Sequence, residues 1–88
     1  MQYLISYDLR QPGRDYRPLW DELTSLGAYR VLFSEWYLTG DFSPELLRNH
    51  LLQFIDANDG LLVVEFPYTA AWYNPIHHLP IYPPSHAV

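Results

Sequence analysis

The chain has 88 residues, 49% of them hydrophobic and 17% aromatic, with a net charge of −5, no lysine and five arginines. That length sets one small domain, the acidic balance argues against a broad basic surface for nucleic acid, and the lack of cysteine excludes disulfides and thiolate metal sites. No apolar run approaches the roughly 20 residues of a membrane helix, and no basic leader precedes the first apolar stretch, so the expected setting is cytoplasmic with no membrane partner.

Residues 2–8, QYLISYD, read as a strand with Tyr3, Ile5 and Tyr7 on one face and Leu4, Ser6 and Asp8 on the other. Pro12 and Gly13 mark the loop that follows. Asp15 is the expected N-cap of a helix through Leu26, with Pro18 in its first turn and Gly27 as its stop. Tyr16, Leu19, Trp20, Leu23 and Leu26 recur along it at helical spacing. The run AYRVLFSEWYLTG is too rich in β-branched and aromatic residues for a helix and too long for one strand. Two strands, 29–33 and 35–39, joined by a tight bend or bulge at Ser34-Glu35, fit it better.

Ser43-Pro44-Glu45 supplies an N-cap, a first-turn proline and an acid for the dipole of a second helix. It runs to about Asp56 with Leu47, Leu51, Phe54 and Ile55 inward. After the turn ANDG comes LLVVEF (61–66), an apolar strand. The ordered domain thus spans 1–66. Residues 67–88 form an extension in which 68–73 suit an edge strand and the rest is a proline-rich tail. The order β-α-β-β-α-β predicts an α+β, ferredoxin-like arrangement with an antiparallel sheet. Both helices of such a fold cover one face of the sheet. The free face, together with eight tyrosines and three tryptophans, points to a homodimer.

Asp8 is the first candidate for chemistry. One carboxylate makes no metal cage, but Mg²⁺ keeps most of its waters and takes one or two carboxylates. The bland reading is a strand-ending aspartate that accepts loop amides. Arg10, Arg14 and Arg17 crowd into the following loop and first turn, where guanidinium suits bidentate phosphate contact. Alternatively they pair with Asp15, Asp21 or Glu22 at the surface. Ser34 suits local backbone bonding, and Trp36 and Tyr37 fit packing better than base stacking. His77-His78 lack the spacing that aims two rings at one ion, and His50 falls on the polar side of its helix.

Several of these pieces occur together in a known family. A first strand ending in Tyr7-Asp8, an arginine-bearing first helix, and the run GAYRVLFSEW resemble the CRISPR-associated protein 2 family, particularly its compact Cas-two-like relatives. Virulence-associated protein D is a more distant likeness. The resemblance spans about residues 2–66. It implies a ferredoxin-like homodimer joined through its sheets, with Asp8 near the twofold axis facing its symmetry mate. It further implies either a Mg²⁺-dependent endonuclease acting on RNA or DNA, with Asp8 as catalytic and metal residue, or a non-catalytic scaffold. Arg10, Arg14, Arg17 and Ser34 become candidates for nucleic-acid contact, and the sheet edge or tail for a protein partner. Leu32 departs from the family's usual glutamine, and the missing lysines are a second departure.

Overall fold

The computed structural model describes residues 1–67 and 70–77. Along the chain run β1 (Gln2–Asp8), α1 (Arg17–Ser25), β2 (Tyr29–Leu32), β3 (Glu35–Thr39), α2 (Pro44–Leu51) and β4 (Gly60–Phe66); a short 3-10 turn, Leu52–Phe54, closes α2. These make an α+β domain on one antiparallel sheet of order β2-β3-β1-β4.

The alternation of β1 decides which face the helices cover. Tyr3 and Ile5 are fully buried and Tyr7 nearly so. They pack with Leu19 and Leu23 of α1, Leu47 and Leu51 of α2, and Trp36 and Leu38 of β3. Each such side chain contributes about 1.5–3 kcal/mol of burial. β1 sits at the centre because it pairs on both sides, Ile5 lying opposite Trp36 in β3 and Val63 in β4.

The helix ends follow local chemistry, with two departures from expectation. One is that α2 stops at Leu51 and continues only as the 3-10 turn to Phe54, short of Asp56. Gly27, at φ +94°, closes α1. Its N–H donates to the Thr24 carbonyl and that of Ala28 to the Leu23 carbonyl, the paired bonds of a Schellman motif. At the other end Asp15 is not the N-cap. Tyr16 holds that place with no side-chain capping bond, because the Asp15 carboxylate is taken by the Arg17 N–H and guanidinium. In α2 Ser43 caps as expected, its hydroxyl accepting the Leu46 N–H at 3.3 Å.

Phe33 and Ser34 form the turn between β2 and β3. Neither has positive φ, so the turn lacks the twist of the primed types that suit two-residue hairpins. A register shift between Arg30 and Leu32 takes up the mismatch.

The face away from the helices carries a smaller cluster. Val31 and Tyr37 are buried there, with Leu4, Tyr29, Phe66, Ala70 and Trp72 against them. Residues 70–73 are not a strand; 68 and 69, and the tail from 78 onward, lie outside the described residues. Instead of extending the sheet, this segment crosses its open face and reaches the free edge of β2. There the Ile76 N–H donates to the Val31 carbonyl at 2.7 Å. His77 Nδ1 lies 2.8 Å from the Arg30 carbonyl oxygen.

Candidate functional site

The end of the sheet where β1 stops gathers most of the sequence candidates. Asp8 pairs in register with Gly60, the first residue of β4, which places its side chain on the open face of the sheet. That side chain is 71% exposed, and its Oδ2 accepts a hydrogen bond from Arg10 Nε at 3.0 Å. Asp8 therefore faces a guanidinium, not the loop amides that a turn aspartate commonly accepts. Beside it a shallow hollow of about 230 Å³ is lined by Ser6, Tyr7, Asp8, Gly60, Leu61 and Leu62.

Arg10 ties two chain segments together. Its backbone N–H donates to Asp59 Oδ1 at 2.6 Å, and its guanidinium donates to the Asn58 carbonyl at 2.9 Å. A Cβ on Gly60 would come within 3.0 Å of the same guanidinium, so glycine at the start of β4 leaves room for Arg10 to lie across it. Arg14 pairs with Asp56 at 3.6 Å and stands over the Tyr16 ring. Arg17 pairs with Asp15 at 2.8 Å, and that bonding holds the Asp15 carboxyl down at about 2. Each loop arginine is thus matched to an aspartate. Of the expected partners Asp15 takes its role with Arg17, while Asp8 and Asp56, in place of Asp21 and Glu22, pair with Arg10 and Arg14.

Asp59 organises the loop. Its Oδ2 accepts the Tyr16 hydroxyl at 2.7 Å and the Asp56 N–H at 2.7 Å, in addition to the Arg10 N–H on Oδ1. Burial pushes its carboxyl up, but the bonds from Arg10, Tyr16 and Asp56 outweigh this and hold it below the usual carboxylate range. Burial and the Asp59 bond together push the Tyr16 phenol up.

No family model and no solved structure matches the chain.

Among the described residues no three His, Asp or Glu side chains gather as a metal cluster. Within one chain Asp8 offers a single carboxylate, and a cation there competes with Arg10. A Mg²⁺ ion bound to these residues alone would keep most of its waters.

Ser34 contributes its carbonyl, which accepts the Tyr7 N–H at 3.2 Å. Trp36 and Tyr37 are 6% and 1% exposed, which removes both as base-stacking surfaces. Trp36 Nε1 donates to the Tyr7 hydroxyl and the Tyr37 hydroxyl donates to Gln2 Oε1. His50 is not free in solvent: its Nε2 lies 2.6 Å from Glu22 Oε2, linking α2 to α1. His77 meets the edge of β2, and His78 lies outside the described residues.

A second centre, around Arg30, has no counterpart among the sequence candidates. The Tyr7 hydroxyl accepts from Trp20 Nε1 at 3.0 Å, Trp36 Nε1 at 3.0 Å and Arg30 Nη2 at 3.1 Å. The Arg30 guanidinium lies 4.9 Å from the Trp20 ring centre and 5.1 Å from that of Trp36. In the sequence Arg30 stands out only as a letter of the family motif. The signal that could have found it is an arginine in β2 on the same face as two tryptophans.

Proposed function

We propose that the chain is a ferredoxin-like protomer that pairs with a second copy through the open face of its sheet and acts as a non-catalytic scaffold or binding protein. The observation that carries this reading is the apolar character of that face. Leu62 is 57% exposed, Leu32 44% and Val64 38%. Leu32 and Val64 line a groove of about 470 Å³ with Leu4, Val31, Phe66 and Trp72. An exposed surface of contiguous apolar side chains marks an interaction site more often than it serves solubility. The matched loop arginines support the scaffold over the nuclease, since phosphate contact would first have to displace Asp8, Asp56 or Asp15.

Light scattering after size exclusion tests the pairing. The chain is expected to run at twice its 10.4 kDa mass. Leu62→Asp, at a solvent-exposed position, should weaken the dimer about 100-fold by placing an unpaired carboxylate in an apolar interface. A wild-type chain that stays monomeric at about 100 μM removes the reading, since useful interfaces bind at micromolar or tighter.

One observation favours a catalytic reading. Asp8 shares its sheet face with Leu4 and Ser6 and engages only one carboxylate oxygen. Open-face pairing would bring this rim of each copy toward the other, and two Asp8 carboxylates with retained waters would suit Mg²⁺ and phosphodiester hydrolysis of RNA or DNA. Asp8→Ala costs at most about 1 kcal/mol as a lost surface ion pair, so the variant stays folded. If the site is catalytic, Mg²⁺- or Mn²⁺-dependent cleavage of single- or double-stranded substrates falls at least about 100-fold in this variant. Equal cleavage by variant and wild type assigns the activity elsewhere.

A further inference from the structure

We propose that Arg30 is an oxyanion receptor, and that it takes the phosphate of a mononucleotide whose base lies against Phe33. A guanidinium carries five N–H groups, and Arg30 spends Nη2 on the Tyr7 hydroxyl. Its Nε is buried with no partner, the one side-chain nitrogen or oxygen in that state among the described residues. Nη1 makes no bond, and it is not among the fully buried polar atoms.

The described ion pairs use Arg10, Arg14, Arg17 and His50, and none reaches Arg30. Arg48, the remaining arginine, lies on the exposed surface of α2 and bonds Asn49. Around Arg30 stand rings instead: Trp20, Trp36 and, at 5.8 Å, Phe33. Ring faces stabilise a cation and fix its orientation without neutralising it. A half-buried guanidinium held in this way keeps its positive charge, and Nη1 is the donor left for a phosphate oxygen.

Phe33 supplies the neighbouring surface. It sits at the tip of the β2–β3 turn and is 82% exposed, which no packing requirement of the fold explains. Flat rings stack on such a side chain with little dependence on their identity. A ligand with one phosphate and one base fits this pair of features.

The charge elsewhere selects a mononucleotide over a strand. Affinity for a polyanion grows with the number of phosphates that cations can neutralise. Here the net charge is −5, and the three loop arginines are already matched to aspartates. One open guanidinium serves one phosphate.

The experiment is a titration of the full chain with AMP and GMP, followed by calorimetry and by tryptophan emission, which reports on Trp20 and Trp36 beside the site. Saturable one-to-one binding is expected, with adenosine lacking the phosphate bound at least about tenfold more weakly. Arg30→Gln should weaken AMP about 10- to 100-fold, the size of a lost charge-assisted bond. Phe33→Ala, at an exposed position with no part in folding, should weaken it several-fold through lost stacking. An unchanged affinity in Phe33→Ala, or no saturation by AMP and GMP up to about 10 mM, a range that spans even weak specific ligands, overturns the proposal. So does a ten-nucleotide single strand that binds tighter than AMP by more than its tenfold count of phosphates. The site faces the helix side of the sheet, so this outcome is independent of whether the open face pairs.

Discussion

Tyr7→Phe is expected to lower folding stability by about 3 kcal/mol. The phenol oxygen is the common acceptor for Trp20 Nε1, Trp36 Nε1 and Arg30 Nη2. A buried donor stripped of its acceptor costs about 1–3 kcal/mol, and the three donors here are not equally protected. Trp36 is 6% exposed and has no water to turn to, so its indole N–H bears most of the cost. Trp20 and Arg30 are both half-buried, so each recovers part of its loss. For a domain of this size the loss corresponds to a fall in Tm of roughly 12–24 °C. Urea unfolding should show a lower midpoint with an unchanged slope, since the surface exposed on unfolding is the same. A double-mutant cycle with Trp36→Phe isolates the central bond: the second substitution should cost less in the Tyr7→Phe background than alone. Additive losses, or a Tyr7→Phe effect below about 1 kcal/mol, the net worth of one ordinary bond, would mean the hydroxyl is not the hub its geometry describes.

What was legible in the sequence is what depends on neighbours along the chain. The alternation of Tyr3, Ile5 and Tyr7 marks the helix-facing side of β1, and Gly27 stops α1 because a positive φ is needed there. Ser43-Pro44 starts α2 for reasons contained in three residues. The bend at Ser34 follows from a β-prone stretch too long for one strand, and it appears as a turn with a register shift. What was not legible depends on residues far apart in sequence. Arg14 finds Asp56, and Arg10 finds Asn58 and Asp59, because the start of β4 lies beside the end of β1. No local pattern announces that pairing. Asp15 failed as a cap for a related reason: Arg17, two residues on, offers its carboxylate both a backbone N–H and a guanidinium. Arg30 carries no local signal because its surroundings come from β1, α1 and β3 together.

Asp59→Asn is the second large effect, expected to cost about 2 kcal/mol at pH 7, the range for hydrogen bonds to a charged acceptor. The carboxylate accepts from the Arg10 N–H on one oxygen and from the Tyr16 hydroxyl and Asp56 N–H on the other. An amide keeps the shape but must set its NH₂ against one of these positions. The Tyr16 hydroxyl can rotate to accept from it; the backbone N–H groups of Arg10 and Asp56 cannot. One donor is therefore stranded in either orientation. The sign of the pH dependence follows from the lowered carboxyl of Asp59. An acid whose folded value lies below its unfolded one adds stability that is fully present above the unfolded value, near ~3.9. It loses that stability as pH falls through the folded value. The wild-type chain should accordingly lose this contribution below about pH 4, where the unfolded carboxyl begins to take up its proton. The asparagine variant has no such proton to bind, so the gap between the two unfolding free energies should narrow between pH 7 and pH 2.5. A gap of equal size at both values would place the effect in shape rather than charge. The same comparison bears on the rim of the sheet. Asp59 fixes the backbone of Arg10, and Arg10 in turn holds Asp8, so a loosened loop frees the Asp8 carboxylate from its guanidinium. If Asp8 is a metal ligand, the variant should bind Mg²⁺ more tightly than wild type. If Asp8 serves only to anchor the loop, its affinity for the ion stays as weak as before.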